Sequence, residues 1–238
     1  MQWCMVWPLK VSIVIPVFNE AATVRTLVEK VRRLELDKEL IIVNDGSSDG
    51  TREALAEYEG RPGVTVHHNP VNLGKGSSVR IGFSLAKGEI ITIQDADLEL
   101  EPSDIYKLLE PIVRGEADVV YGSRFLGHGL IGGRKGQLSF YLANRALATL
   151  TNALYGSHLT DIETCYKVFH RDVLPLLSLR ASRFEIEPEI TAQVLKRQLR
   201  IVELPIGYKP RSSEEGKKIS WRDGFAAIYT LLDQRVRR

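Results

Sequence analysis

Apolar residues along this chain fall into two rhythms that alternate with each other. Short runs rich in Val and Ile, at Val11 to Val17 (VSIVIPV), Glu39 to Val43 (ELIIV), Val64 to His67, Glu89 to Ile93 and Ala117 to Tyr121 (ADVVY), predict strands. Between them, apolar positions spaced by three and four predict helices over Ala21 to Leu34, Thr51 to Tyr58, Gly76 to Ala86 and, with Pro102 in its first turn, Ser103 to Val113. Strand and helix in alternation point to a mostly parallel sheet covered on both faces. Beyond Tyr121 a Gly-rich loop (GSRFLGHGLIGGRKG) leads into a long helix from about Gln137 to Tyr155. A strand at Tyr166 to Phe169, a helix from Pro188 to Lys196, a strand at Ile201 to Leu204 and a helix from Trp221 onward follow. No linker divides the pattern, so residues 1–238 read as one domain, with 211–238 a basic loop and an amphipathic C-terminal helix.

In open sheets of this kind the binding crevice lies at the carboxyl ends of the strands. Three predicted strands end there in polar clusters, Phe18-Asn19-Glu20, Asn44 to Asp49 and Asp95-Ala96-Asp97, which should share one crevice. If the strand continues through Ala96, Asp95 and Asp97 project to the same side. Two carboxylates about 5 Å apart repel by about 3 kcal/mol at an effective dielectric near 20. Mg²⁺ or Mn²⁺ removes that cost and suits hard oxygen ligands; a solvated acidic turn is the plainer reading of an isolated pair. Asp49 reads as the N-cap of the helix near Gly50, and Glu20 as an acid at a helix N-terminus. Asp45 has no such structural account.

Composition narrows the classes. The chain has 238 residues, 44% of them hydrophobic, and a formal net charge of +2, which gives no global case for nucleic acid. Cys4 and Cys165 sit in no metal-ligand spacing; Cys165 reads as a packed thiol, and a disulfide between the two stays open. The start, MQWCMVWPLK, lacks the features of a signal peptide, and no run reaches the 18 to 20 apolar residues of a membrane span, so membrane contact is expected from one side. NLGKGSS fails the P-loop pattern at Asn69 and Gly76, and no glycine triplet follows the first strand, which removes the ATPase and dehydrogenase readings.

Four segments in order, VSIVIPVFNE, IIVNDGSSDGT, NLGKGSSVRIGFSLAKGE and IQDADLELEP, resemble family 2 glycosyltransferases. VVYGSRF, LTDIETCYKVF, FEIEPEI and KPRSSEEGKKISWRDG narrow the resemblance to polyprenol-phosphate hexosyltransferases similar to dolichol-phosphate mannose synthase, and it covers about Lys10 to Leu232. The resemblance implies an α/β GT-A fold, a Rossmann-like mostly parallel sheet with helices on both faces. It implies that Asp95 and Asp97 hold Mg²⁺ or Mn²⁺ on a nucleotide diphosphate sugar, GDP-mannose or UDP-glucose. Glu99 would be a further ligand where the mannose synthases usually have glutamine. Pro16, Asn19, Glu20, Asp45 and Asp95 would line the nucleoside site, with Ala96 touching donor through its backbone. Arg124 in GSR, Arg134 in the basic loop and Ser139 would bind the acceptor phosphate, and Arg211, Lys217 and Lys218 the donor diphosphate. Asp97, Arg124 and Asp161 would form the catalytic set. The plain alternative for Arg124 is an exposed residue paired with a surface acid.

The implied acceptor, a polyprenyl phosphate such as dolichyl or undecaprenyl phosphate, is about 90% doubly ionised at pH 7. Such a nucleophile needs no strong general base, so in-line attack with inversion is expected, with mannose first and glucose next as the hexose. A hydroxyl acceptor would instead need Asp161 or Glu163 as base, and a nucleotide-sugar-binding module without catalysis is the non-enzyme alternative. Trp221, Phe225, Ile228 and Leu232 form a stripe ahead of Arg235, Arg237 and Arg238, suiting core or lipid. A peripheral enzyme at the cytoplasmic face of a membrane is expected, with a separate anchoring subunit possible.

Overall fold

The computed structural model describes residues 9–126, 137–211 and 221–237. Its strands are β1 (Val11–Val17), β2 (Lys38–Asn44), β3 (Val64–His68), β4 (Ile90–Ile93), β5 (Val119–Ser123), β6 (Lys167–His170) and β7 (Ile201–Pro205). Among the described residues they form one seven-stranded sheet in the order β3-β2-β1-β4-β6-β5-β7. All neighbouring pairs run parallel except those made by β6, which is antiparallel to both β4 and β5. The helices are α1 (Val24–Arg32), α2 (Thr51–Leu55), α3 (Lys75–Leu85), α4 (Ile105–Val113), α5 (Gln137–Tyr155), α6 (Ile186–Lys196) and α7 (Trp221–Val236).

The strand pattern is nearly continuous hydrophobe because both faces of the sheet are covered. On β1, Val11, Ile13, Ile15 and Val17 join the large core that also holds Val24, Leu27 and Val28 of α1 and Leu108 and Leu109 of α4. Val14 faces the other way, with Ile41, Val43 and Ile91, under Ile81 and Phe83 of α3. Contact there is close: a Cβ on Gly82 would lie 2.2 Å from Val14 Cγ1, so the helix can approach only through a glycine.

Several boundaries differ from the sequence reading. Residues 21–23 form a turn, in which the Glu20 carbonyl accepts the N–H groups of Thr23 and Val24, and α1 starts only there. The last part of the predicted 51–58 helix tightens to 3₁₀ at Ala56–Tyr58, and α6 begins two residues earlier than Pro188. A further 3₁₀ segment, Arg171–Leu176, carries no periodic signal. The largest difference is β6: it inserts between β4 and β5, and only the register of the sheet reveals it.

Candidate active site

The ends of β1 and β2 are stapled to each other. Asn19, at φ +49°, donates its N–H to Ser47 Oγ (2.9 Å) and accepts the Ser48 N–H at Oδ1 (2.9 Å). The Glu20 N–H donates to Thr51 Oγ1, and Asp49 accepts the N–H groups of Ala21 (3.0 Å) and Thr51 (3.1 Å). Asp49 is therefore not the N-cap expected from sequence; Gly50 occupies that position, and the carboxylate of Asp49 ties the two strand ends together. Asp45, which had no structural account, is buried and accepts Asn69 Nδ2 (2.8 Å), the Leu73 N–H (2.9 Å) and the Gly74 N–H (2.8 Å). Its present bonds hold loop 69–74. Gly74, at φ +93°, lies so near the 181–183 segment that a Cβ would sit 2.3 Å from the Ser182 carbonyl oxygen. This glycine serves close packing, and the loop delivers Lys75 to the next strand end. Pro16 lies on β1 opposite Val43, and Ala96 is buried beside the acids.

Strand β4 stops at Ile93, so the premise that extended backbone carries Asp95 and Asp97 to one side does not hold. Residues 96–99 turn instead, with Leu98 at φ +62°. Asp95 meets Lys75 Nζ at 2.9 and 3.1 Å. Lys75 Nζ also faces Glu187 Oε1 (3.2 Å), and Glu187 pairs with the fully buried Lys167. Lys167 Nζ donates in turn to the carbonyls of Ile162 and Thr164. Sequence reasoning assigned no role to Lys75, Glu187 or Lys167; the signal was the acid-rich FEIEPEI run, which places Glu187 in the first turn of α6. On the other side Arg211 donates from Nη2 to Asp97 (3.0 Å) and from Nη1 to both Glu20 oxygens (3.2 Å), while its N–H bonds Glu99 Oε1 (2.9 Å). Burial first, then the charges of Asp95 and Glu99, push Asp97 up to about 6, with Arg211 opposing them.

Among the described residues no group of three His, Cys, Asp or Glu side chains is already gathered as a metal cage. The residues nevertheless fit a divalent cation. A guanidinium already stands among Glu20, Asp97 and Glu99, and Asp97 is driven toward protonation by burial and then by the neighbouring charges of Asp95 and Glu99. Mg²⁺ characteristically takes only one or two carboxylates and completes its shell with phosphate oxygens and water.

Across the sheet, Arg124 is not the exposed residue of the plain reading. It is buried at the end of β5 and held in a fork by Asp161, with Nε to Oδ2 at 2.7 Å and Nη2 to Oδ1 at 2.9 Å. Its guanidinium carbon lies 5.4 to 5.5 Å from the ring centres of Phe125, Phe140 and Tyr208. Burial disfavours its charge and Asp161 more than restores it, so Arg124 stays a cation. Asp161 is wholly buried, its backbone N–H fixed by Glu203. Of the other expected phosphate ligands, Arg134, Lys217 and Lys218 lie outside the described residues, as does the side chain of Ser139 on α5. Cys165 is a buried thiol, pushed well above its ordinary range by burial and then by Asp95; Cys4 lies outside the described residues.

The sequence model of glycosyl transferase family 2 matches residues 12–176. A low-salt glycan biosynthesis hexosyltransferase of Haloferax volcanii is 29% identical over 224 residues, covering 93% of this chain and 52% of that protein. An undecaprenyl-phosphate 4-deoxy-4-formamido-L-arabinose transferase of Aeromonas hydrophila is 31% identical over 216 residues, 87% of this chain and 62% of that one. The chain thus spans about half to three fifths of the length of these two relatives. A UDP-N-acetylglucosamine–dolichyl-phosphate N-acetylglucosaminyltransferase of Methanococcus voltae is 28% identical, with 93% and 94% of the two chains covered. Among solved structures, glucosyl-3-phosphoglycerate synthase from Mycobacterium tuberculosis, in complex with Mn²⁺, UDP and phosphoglyceric acid, superposes with a TM-score of 0.74 at 22% identity. The match covers 97% of this chain and 80% of that one. That likeness is one of fold.

Proposed function

The chain belongs to glycosyl transferase family 2 and has a GT-A fold, and from that premise we propose that it transfers a hexose, with inversion, from a nucleotide diphosphate sugar to a polyprenyl phosphate. The observation that carries this reading is the commitment of Asp161. Both of its oxygens are spent on Arg124, so one of the two carboxylates that could serve a hydroxyl acceptor as base instead anchors a buried cation. Among the described residues, none of the Arg124 hydrogen bonds uses Nη1. A phosphate dianion suits such a fixed guanidinium and needs no deprotonation. Relatives named for undecaprenyl and dolichyl phosphate transfer support the same acceptor class.

On the donor side, Asn19, Glu20, Asp45 and Pro16 would line the nucleoside site, and Asp95 and Asp97 would hold Mg²⁺ or Mn²⁺ against the diphosphate. When bound, such a cation supplies neutralisation of the leaving diphosphate. Arg211 would turn from the carboxylates to the diphosphate, joined by Lys217 and Lys218, while Arg134 and Ser139 would assist Arg124. GDP-mannose and then UDP-glucose are the favoured donors. The enzyme would work as one domain at the cytoplasmic face of a membrane, with or without a separate anchoring subunit; among the described residues no helix is long and apolar enough to cross one.

Purified protein with Mn²⁺, a panel of nucleotide sugars and undecaprenyl or dolichyl phosphate should yield a lipid-linked sugar. Labelling of water-soluble hydroxyl acceptors alone would overturn the reading. The informative variant is Arg124→Lys, which keeps charge against Asp161 but loses the planar fork. It should cut phosphate-acceptor turnover by about tenfold or more and leave donor binding intact.

A further inference from the structure

The antiparallel insertion of β6 places one carboxyl group where the two halves of the site meet. Thr92 of β4 and Val120 of β5 both pair with Val168 of β6. Just before the strand, the Tyr166 hydroxyl donates to Gln94 and the Tyr166 carbonyl accepts the Gly122 N–H at 2.8 Å. The turn 161–165 is thereby clamped between the loop bearing Asp95 and Asp97 and the corner bearing Arg124. In the reading proposed above, on which this inference rests, the hexose must lie in that interval, since its leaving diphosphate is on one side and the attacking phosphate on the other.

Within the turn the two acids have different fates. Asp161 is fully committed to Arg124. Glu163 is partly exposed, yet its Oε1 is sealed from solvent and has no hydrogen-bond partner among the described residues. A buried acceptor left unpaired costs on the order of 1–3 kcal/mol, so a bound group that satisfies it is favoured. We propose that Glu163 is a sugar-reading residue, whose carboxyl group exchanges hydrogen bonds with a hydroxyl of the donor hexose and so discriminates among hexoses.

The charges around Glu163 are Asp161 in the same turn, Lys167 on β6, Arg124 at the end of β5 and Glu187 on α6. Burial, followed by the charge of Glu187, pushes its carboxyl up to about 7, against the pull of Lys167 and Arg124. Near neutrality a large part of the protein therefore carries Glu163 as a neutral acid. In that form it both donates and accepts, matching a hydroxyl.

Calorimetry on the full chain with Mn²⁺ tests the assignment, comparing UDP and GDP with UDP-glucose, UDP-galactose, UDP-N-acetylglucosamine and GDP-mannose. Glu163→Ala should weaken the best nucleotide sugar by about tenfold and leave the matching nucleoside diphosphate within about twofold. Glu163→Gln, which keeps one donor and one acceptor, should retain affinity for the sugar at pH 7. The wild type's preference for nucleotide sugar over nucleoside diphosphate should decline from pH 6 to 8.5, while Glu163→Gln stays flat. Equal loss for both ligands in Glu163→Gln, an unchanged nucleotide-sugar affinity in Glu163→Ala, or one pH profile shared by wild type and Glu163→Gln would overturn the assignment alone. A wild type that binds none of the six ligands would overturn the donor reading and this inference together.

Discussion

Arg211 touches three carboxylates that the sequence assigned to donor and metal, and it does so as a cation occupying their shared space. Removing it should free those groups. Mn²⁺ titrated without nucleotide, followed by electron paramagnetic resonance of the free ion, should bind Arg211→Ala on the order of a hundredfold more tightly, because one nearby unit charge is worth about 3 kcal/mol at a dielectric near 20. Nucleoside diphosphate with Mn²⁺ should bind the same variant more weakly. Tighter binding of both would show that Arg211 only blocks the site. Glu163 adds a stability signature. Its folded pKa lies above the ordinary carboxylate value, so its favourable contribution is complete below about 4.5 and is lost as pH rises through about 7. The melting temperature of Glu163→Gln relative to wild type should therefore rise between pH 5 and pH 8, with about 1 kcal/mol appearing as roughly 2–4 °C in a chain of this size. A constant difference would mean that the side chain titrates normally.

At the scale of elements, what the sequence reveals and what it hides follow different physics. β1 to β4 were legible because alternating strand and helix patterns encode a two-face-covered sheet. The strand ends stood out because Asn19, Asp45 and Asp95 interrupt otherwise apolar runs. Pairing is not a local property, so the insertion of β6 between β4 and β5 left no periodic trace, and neither did the Lys75, Glu187 and Lys167 network that depends on it. Backbone turns were hidden for a similar reason: Asp95 and Asp97 suggested extended spacing, whereas Leu98 adopts a left-handed conformation that sequence does not announce. The glycines of NLGKGSS resembled phosphate chemistry yet answer to steric approach. Gly82 gives a test of that steric logic. Alanine gains about 1 kcal/mol of helix propensity, but the added Cβ meets Val14 at 2.2 Å, where overpacking costs about 1–3 kcal/mol. Gly82→Ala should lower the urea midpoint, and adding Val14→Ala should restore part of it. A stabilised Gly82→Ala would show that α3 slides on the sheet.

For the whole molecule, the question is how a protein without a spanning helix among its described residues would meet the lipid acceptor proposed above. α7 packs through Ala227, Leu231 and Gln234, and turns Phe225, Ile228, Tyr229, Leu232 and Val236 outward. The stripe read from sequence as core or lipid is thus the outward one, with Trp221's side chain outside the described residues. Phe225, Tyr229 and Val236 are each more than 60% exposed, so α7 leaves large apolar side chains to water over about three turns. Basic charge contributes less than the tail suggests, because Arg237 is paired with Asp233 at 2.6 Å. An unpaired arginine near an anionic bilayer is worth about 1 kcal/mol and is screened within about 3 Å at 1 M salt, whereas buried aromatic surface is not screened. Binding to vesicles containing anionic lipid should therefore persist in high salt and collapse in a Phe225→Ser, Tyr229→Ser double variant whose nucleotide binding is intact. Vesicle binding that vanishes in high salt, with the double variant behaving as wild type, would assign the contact to charge and leave this apolar face to another protein.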